Sequence, residues 1–304
     1  MNSFQRHPLT HAISILDEIR AGRFLLDGGM GTSLLGLDGL KMERIALAAL
    51  EHPEAVRSLH RGFLESGSRC IQTATFGSGP IALRAKGLGV SPSECNQAAA
   101  GIALKLAESV EGAFVAGCIG PATPWCEERP HPSDTELLDN YGEQGRALAE
   151  SGVHMFALET FADLKETELA IQALRGIADL PISACLTFSR RAEAFVTLSG
   201  EPIADGLLHL AEQGADLLGV NCGEGSAVAL ELVRELHRTG AVPHVVKPNA
   251  GLPQKRNGQW IYGQDPADFA RDMLAVLELG VLAVGGCCGA DHKFIESLAG
   301  AMNS

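Results

Sequence analysis

Cys222, in the segment GVNCGEG, and the adjacent pair Cys287 and Cys288, in VGGCCG, each follow a run that reads as a buried β-strand. Thiols placed this way can serve as thiolate ligands, and thiolates are soft donors that favour zinc over magnesium or calcium. Zinc takes four ligands. A site with three from the protein therefore keeps one position for water or substrate, which is the arrangement of catalysis rather than of scaffolding. The spacing is unlike a zinc finger, because no CxxC pair is present and Cys222 is far from the other two. The fold must bring them together. Two other readings of the same residues stand beside this one: vicinal cysteines can form a redox pair, and single cysteines are often small buried hydrophobes.

The elements that would position these thiols alternate along the chain. Strand candidates are Phe24 to Asp27, Cys70 to Thr75, Ala113 to Cys118, His154 to Glu159, Ile182 to Thr187, Asp216 to Asn221, His244 to Lys247 and Val281 to Gly285. Between them lie segments of helical period: Val56, Leu59, Phe63 and Leu64 share one face, as do Phe269, Met273, Val276 and Leu277. Ile13, Leu16 and Ile19 suggest a short helix ahead of the first strand. Such alternation implies parallel strands with helical crossovers, and eight units predict a single closed (β/α)8 barrel over residues 1–304. An open doubly wound sheet would more often carry a dinucleotide fingerprint after its first strand, and GGMGTS lacks the GxGxxG spacing. The irregular stretches PATPWCEERPHPSD, RRAEAFVTLSG and PNAGLPQKRNGQWIYG all follow strands, so they are expected at the catalytic face.

Composition narrows the function classes. A net charge of -13 argues against a nucleic-acid surface, and no apolar stretch is long enough for a membrane span. No signal-like h-region opens the chain, and eight cysteines without one suggest reduced thiols in a cytoplasmic protein. Small-molecule chemistry is expected, and nothing in the sequence fixes an oligomeric state.

In a barrel the residues ending the strands share one mouth. Asp27, Thr75, Glu159, Asn221 with Cys222, Asn249, and Cys287 with Cys288 would meet there. This convergence strengthens the zinc reading. Cys70 and Cys95 read as packing residues, Cys118 and Cys185 as candidates to line a pocket, and none of these as a ligand.

The motifs also resemble, from end to end, the homocysteine S-methyltransferases. LLDGGMGTSL is similar to the family's opening strand and loop, QTATFGSGPIALRAKG to its second unit, VAGCIGP to its third and FALETFADLKE to its fourth, with GVNCGEG and VGGCCG as the zinc motifs. PNAGLP followed by WIYGQDPADFA resembles the cobalamin-dependent methionine synthase branch more than the betaine branch. The resemblance implies that Cys222, Cys287 and Cys288 hold zinc at the C-terminal face of the strands. Homocysteine's thiol, a weak nucleophile while protonated, would bind there, lose its proton and accept a methyl group to give methionine.

The resemblance also assigns Glu159 to the substrate ammonium and places Asp27 beside the substrate amine. Backbone N–H groups of Gly29, Met30, Gly31 and Thr32 can receive the carboxylate. Thr75 and Phe76 resemble a pocket segment, and Asn221 can orient the zinc site from behind. The bland readings are a helix-capping carboxylate for Glu159, turn formation at Asp27 and Gly28, rim packing at Thr75 and Phe76, and a satisfied strand-end amide for Asn221. The implied donor is methylcobalamin on a partner protein, S-methylmethionine, S-adenosylmethionine or betaine. Trp125 and Trp260 fall on catalytic-face loops, where a ring can stabilise a cationic donor or simply pack its loop. Two alternatives remain: a non-catalytic zinc-containing partner subunit of a corrinoid system, and a methyltransferase for another thiol or selenol. Ala290-Asp291-His292, after VGGCCG, departs from the small hydroxyl residues and proline frequent in relatives.

Overall fold

A computed structural model describes residues 14–36, 40–123, 131–192, 194–197, 199–256 and 259–304. Eight parallel strands are present: β1 Phe24–Leu25, β2 Cys70–Gln72, β3 Phe114–Ile119, β4 Met155–Phe161, β5 Ile182–Leu186, β6 Leu217–Cys222, β7 Val245–Pro248 and β8 Ala283–Val284. They pair in the order β1-β8-β7-β6-β5-β4-β3-β2. A parallel bridge between Leu26 and Cys70 joins β1 to β2 and closes the ring. Helices lie in every crossover, so the architecture is the (β/α)8 barrel that the alternation predicts.

Side-chain parity explains both layers of the core. Residues pointing inward near the strand starts form one apolar cluster: Phe24 and Leu26, Phe114 and Ala116, Met155 and Ala157, with Leu217, Val245 and Ala283. Ile15 and Ile19, from the helix Ile15–Arg20, join that cluster and fill the lower end of the barrel. The alternate residues, among them Leu25, Ile71, Val115, Phe156, Leu158, Val220, Val246 and Val284, pack outward against the helices. Further along the same inward parity, Gln72, Cys118, Glu159, Asn221 and Lys247 come to the upper end.

Several boundaries differ from the sequence expectation. The first two strands stop at Leu25 and Gln72, short of Asp27 and Thr75. Side chains take over the ladder there: the Gln72 N–H donates to the Asp27 carboxylate at 2.6 Å, and the Cys118 N–H donates to Thr73 Oγ1 at 3.0 Å. The first described helix begins at Ile15, because the Ser14 hydroxyl caps it by accepting from the Leu16 N–H. Its buried face is therefore Ile15 and Ile19, with Leu16 only partly covered, and Ile13 lies outside the described residues. The loops after β5 and β7 each contain a short antiparallel hairpin, Ser189–Arg191 with Ala194–Val196 and Gln254–Arg256 with Gln259–Ile261. Among the described residues no helix is long and apolar enough to cross a membrane.

His60, on the helix Pro53–Glu65, is fully buried, and neither ring nitrogen has a hydrogen-bond partner among the described residues. Burial lowers its pKa to about 4. As pH falls from the ordinary histidine value near 6.5, the unfolded chain takes up this proton first, so stability is lost over that window and is unaffected above it. The loss from this residue between pH 7 and 4.5 should be about 2 to 3 kcal/mol. Urea denaturation of wild type and His60→Leu at both pH values measures it; equal acid losses in the two proteins would contradict the assignment.

Candidate metal and substrate site

Three backbone bonds made by the end of β7 and the residues just after it gather the cysteine loops. The Asn249 N–H donates to the Cys222 carbonyl, the Ala250 N–H to the Cys288 carbonyl, and the Cys287 N–H to the Pro248 carbonyl at 2.8 Å. As a result the three Sγ atoms all lie within 4.8 Å of one another. Cys222 has φ of 65°, a left-handed conformation that side chains other than glycine rarely adopt. Such strain persists only where surrounding structure enforces it, and here it turns the thiol toward the other two. Close approach also constrains the opening loop: a Cβ on Gly29 would stand 2.3 Å from the Cys287 carbonyl oxygen, so only glycine is accommodated.

Thiols crowded in this way hold their protons. The hydrogen bond with Cys222, together with burial, pushes the Cys287 thiol well above its ordinary range. A divalent cation would reverse that order by displacing the protons, since a coordinating thiol is deprotonated outright. Three soft donors, all on strand-end loops of a rigid barrel, suit a thiophilic metal with one coordination position left over. The Tyr262 ring packs over Gly289, whose φ of 80° and absent Cβ leave room for it, and burial together with the neighbouring Cys288 holds the Tyr262 hydroxyl above its ordinary range. Removing the hydroxyl beside Cys288 in Tyr262→Phe should leave the fold intact and weaken metal binding about 10- to 100-fold, as read by chelator competition.

Below the thiols a polar layer crosses the barrel. Glu159, at the inward end of β4, accepts from the Gln72 side chain at 2.7 Å and from the Asn221 side chain at 2.6 Å. Asn221 also accepts from the Thr160 N–H at 2.8 Å and lies 3.8 Å from Cys287 Sγ, so one amide ties the carboxylate to the thiol cluster. Thr160 has φ of 64° and is held in that conformation by Asn221, which bonds both its N–H and its hydroxyl. In the register of β6 with β7, Asn221 pairs with Lys247, which sends the lysine inward as well. Its ammonium is buried 3.3 Å from Asp27 Oδ1 and 3.6 Å from Glu159 Oε1. Burial alone would pull Lys247 down, but Glu159 and Asp27 raise it above the ordinary lysine range. Burial pushes the Asp27 carboxyl up to about 6, with Lys247 opposing the shift. Two carboxylates thus face one lysine in this layer.

A cavity of about 270 Å³ opens over the layer. Gly29, Met30, Gly31, Thr32, Phe76, Glu159 and the three cysteines line it, together with Gln72, Cys118, Thr160 and Lys247. Its outer wall is apolar, built from Leu34, Leu35, Met42, Ile45 and Ala46.

Three of the residues singled out in the sequence stand behind the wall. Asp27 is fully buried with its oxygens turned to the Gln72 N–H and Lys247, so it reaches the cavity only through them. Thr75 donates to the Cys118 carbonyl at 2.6 Å, and Asn221 supports Glu159 as described. The opening loop offers fewer free donors than its glycines suggest, because the Gly29 N–H is bonded to the Ala290 carbonyl and the Met30 N–H to that of Gly28. Cys118 lines the cavity, whereas Cys185 is buried below it against Gly219. The Trp260 ring is 53% exposed, lies outside the cavity lining and has Lys255 Nζ 5.8 Å from its centroid. Trp125 and Cys126 lie outside the described residues. Lys247, Gln72 and Tyr262 were not singled out in the sequence; a lysine closing the apolar run ahead of PNAGLP is the signal that could have pointed to the first.

Comparison with known proteins agrees with this geometry. The chain is 27% identical over 304 residues to methionine synthase of Mycobacterium tuberculosis, covering 95% of this chain and 25% of that one. It therefore spans about a quarter of that relative's length. It is 28% identical over 313 residues to betaine-homocysteine S-methyltransferase 1 of Bos taurus, covering 94% of this chain and 74% of the bovine protein. The metallated form of the homocysteine methyltransferase MmuM from Escherichia coli shares the fold, with a TM-score of 0.75 at 24% identity over 91% of this chain and 95% of that one. The profile of the homocysteine S-methyltransferase family matches residues 24–302, and since that range takes in every barrel strand and all three clustered thiols, the chain belongs to this family.

Proposed function

We propose that this chain methylates the thiol of homocysteine to give methionine, with Cys222, Cys287 and Cys288 as ligands to a catalytic zinc ion. The observation that carries the reading is the meeting of three thiols and the Glu159 carboxylate in one cavity. Zinc held by three thiolates would supply a fourth position for the substrate sulfur and lower its pKa, making it a thiolate at neutral pH.

The rest is done by the chain's own side chains. Glu159, fixed by Gln72 and Asn221, receives the substrate ammonium and so sets the direction in which the sulfur extends toward the cysteines. Asn221 holds Cys287 and Glu159 in one frame. Met30, Leu34, Leu35, Met42 and Ile45 exclude water from the side on which a methyl donor would enter. Methyl transfer is then a displacement at carbon by the sulfur, and the leaving donor carries away the bonding electron pair. No side chain needs to act as general base at that step.

Methylcobalamin on a partner protein, S-methylmethionine, S-adenosylmethionine and betaine are the donors to separate. Zinc-loaded protein with homocysteine and each donor in turn should form methionine in at least one arm. Absence of product in all of them would overturn the catalytic reading in favour of a zinc-containing partner subunit or a different acceptor thiol.

A further inference from the structure

Thr160 breaks the rule that orders the rest of the cavity wall. Side chains along a strand alternate between faces, so the residue after inward-facing Glu159 belongs on the helix side of β4. Instead both line the cavity. The cause is local: Thr160 has φ of 64°, an outlier for a β-branched residue, and the pairing of β4 with β5 shifts register between Leu158 and Phe161. Beyond the shift Phe161 rejoins the outward core. The strained residue thus adds a second polar group beside Glu159, and such strain persists only where the surrounding structure enforces it.

What that group faces follows from one nitrogen. Asn221 Nδ2 lies 2.6 Å from Glu159 Oε2, 2.9 Å from Thr160 Oγ1 and 3.8 Å from Cys287 Sγ. It sets the hydroxyl beside both the carboxylate and the thiol cluster, so a ligand that spans the two passes it. The hydroxyl accepts from Asn221, and among the described residues its own proton has no acceptor. An amino-acid thiol offers that proton two sites, its carboxylate and its sulfur. The Gly31 and Thr32 N–H groups, at the start of the helix Met30–Leu35, also line the cavity and have no partner among the described residues, which suits them to the carboxylate. The sulfur is left for Thr160.

Resting on the homocysteine reading, we infer that Thr160 is a substrate-binding residue whose hydroxyl donates a hydrogen bond to the sulfur of the acceptor. Such a bond is strongest when its acceptor is charged, so it favours the thiolate over the thioether that methylation produces. The same residue fixes which way the sulfur points, since Asn221 holds the hydroxyl in place from behind.

The test is calorimetric binding of two amino acids to the zinc-loaded full chain, which needs no methyl donor: homocysteine, and norvaline, which carries a methyl group in place of the thiol and is measured by displacement of homocysteine. Thr160→Val keeps the branched shape and loses the hydroxyl. It should bind homocysteine about 10- to 100-fold more weakly than wild type, the usual worth of a hydrogen bond to a charged group, and norvaline equally well. Thr160→Ser should restore homocysteine binding. Thr160→Gly, which relieves the strained φ, reads the same ratio if the valine variant does not fold. Unchanged homocysteine affinity, an equal loss for both ligands, or a loss of zinc affinity in chelator competition overturns the Thr160 assignment alone, the last two by assigning the hydroxyl to the support of Asn221. Failure of wild type to bind homocysteine overturns the acceptor reading and this inference with it.

Discussion

Cys288→Ser protein is expected to purify as a folded barrel, to lose the zinc carried by the wild type, and to form methionine at least about 100-fold more slowly, since even partners one step removed from a metal cost 10- to 100-fold. The two halves of that result have separate causes. Cys288 lies in the turn after β8, outside the apolar clusters that hold the sheet and helices together, so its replacement leaves no core cavity. A serine hydroxyl keeps its proton at neutral pH and is a poor soft donor, so two thiolates are left for the metal. The same outcome is expected for Cys222→Ser and Cys287→Ser. Full zinc content and full activity in any one of the three would remove that residue from the ligand set. Metal analysis, far-ultraviolet circular dichroism and turnover on one preparation measure all of it.

The second large effect is expected at Glu159. Glu159→Ala should retain zinc and raise the homocysteine dissociation constant about 30- to 1,000-fold, the range seen when one partner of a buried charge pair is truncated. Folding should survive, because removing this carboxylate leaves Asp27 and Lys247 as a balanced internal pair. Alanine is the informative change. Both side chains that hydrogen-bond to Glu159 are donor amides, so a glutamine there would aim its own N–H at one of them and confuse lost charge with a new clash. An unchanged dissociation constant would show that the substrate ammonium is bound elsewhere.

How far the sequence could be read follows from what its patterns encode. Period-two runs bounded by turns locate a strand and give its inward parity, which is why the barrel and the strand-end thiols are legible in the sequence. Parity does not give height within the barrel or the pairing register. Lys247 becomes a wall residue only once it is set opposite Asn221, and Asp27 moves behind the wall only because β1 ends two residues earlier and its carboxylate caps β2. Tyr262 is brought near Cys288 by a hairpin in a stretch whose sequence suggests an irregular loop. The Asn257-Gly258 dipeptide was a usable hairpin signal there. The turn beginning at Ala192 carries no such signal, since alanine is an unusual residue for its φ of 52°.

Zinc K-edge absorption of the purified protein, recorded with and without homocysteine, tests the central claim most directly. The account predicts a zinc shell of three sulfurs and one lighter atom that becomes four sulfurs when homocysteine is added. A shell whose sulfur count does not change on addition of homocysteine, or protein reconstituted with zinc that holds it through fewer than three sulfurs, would contradict it.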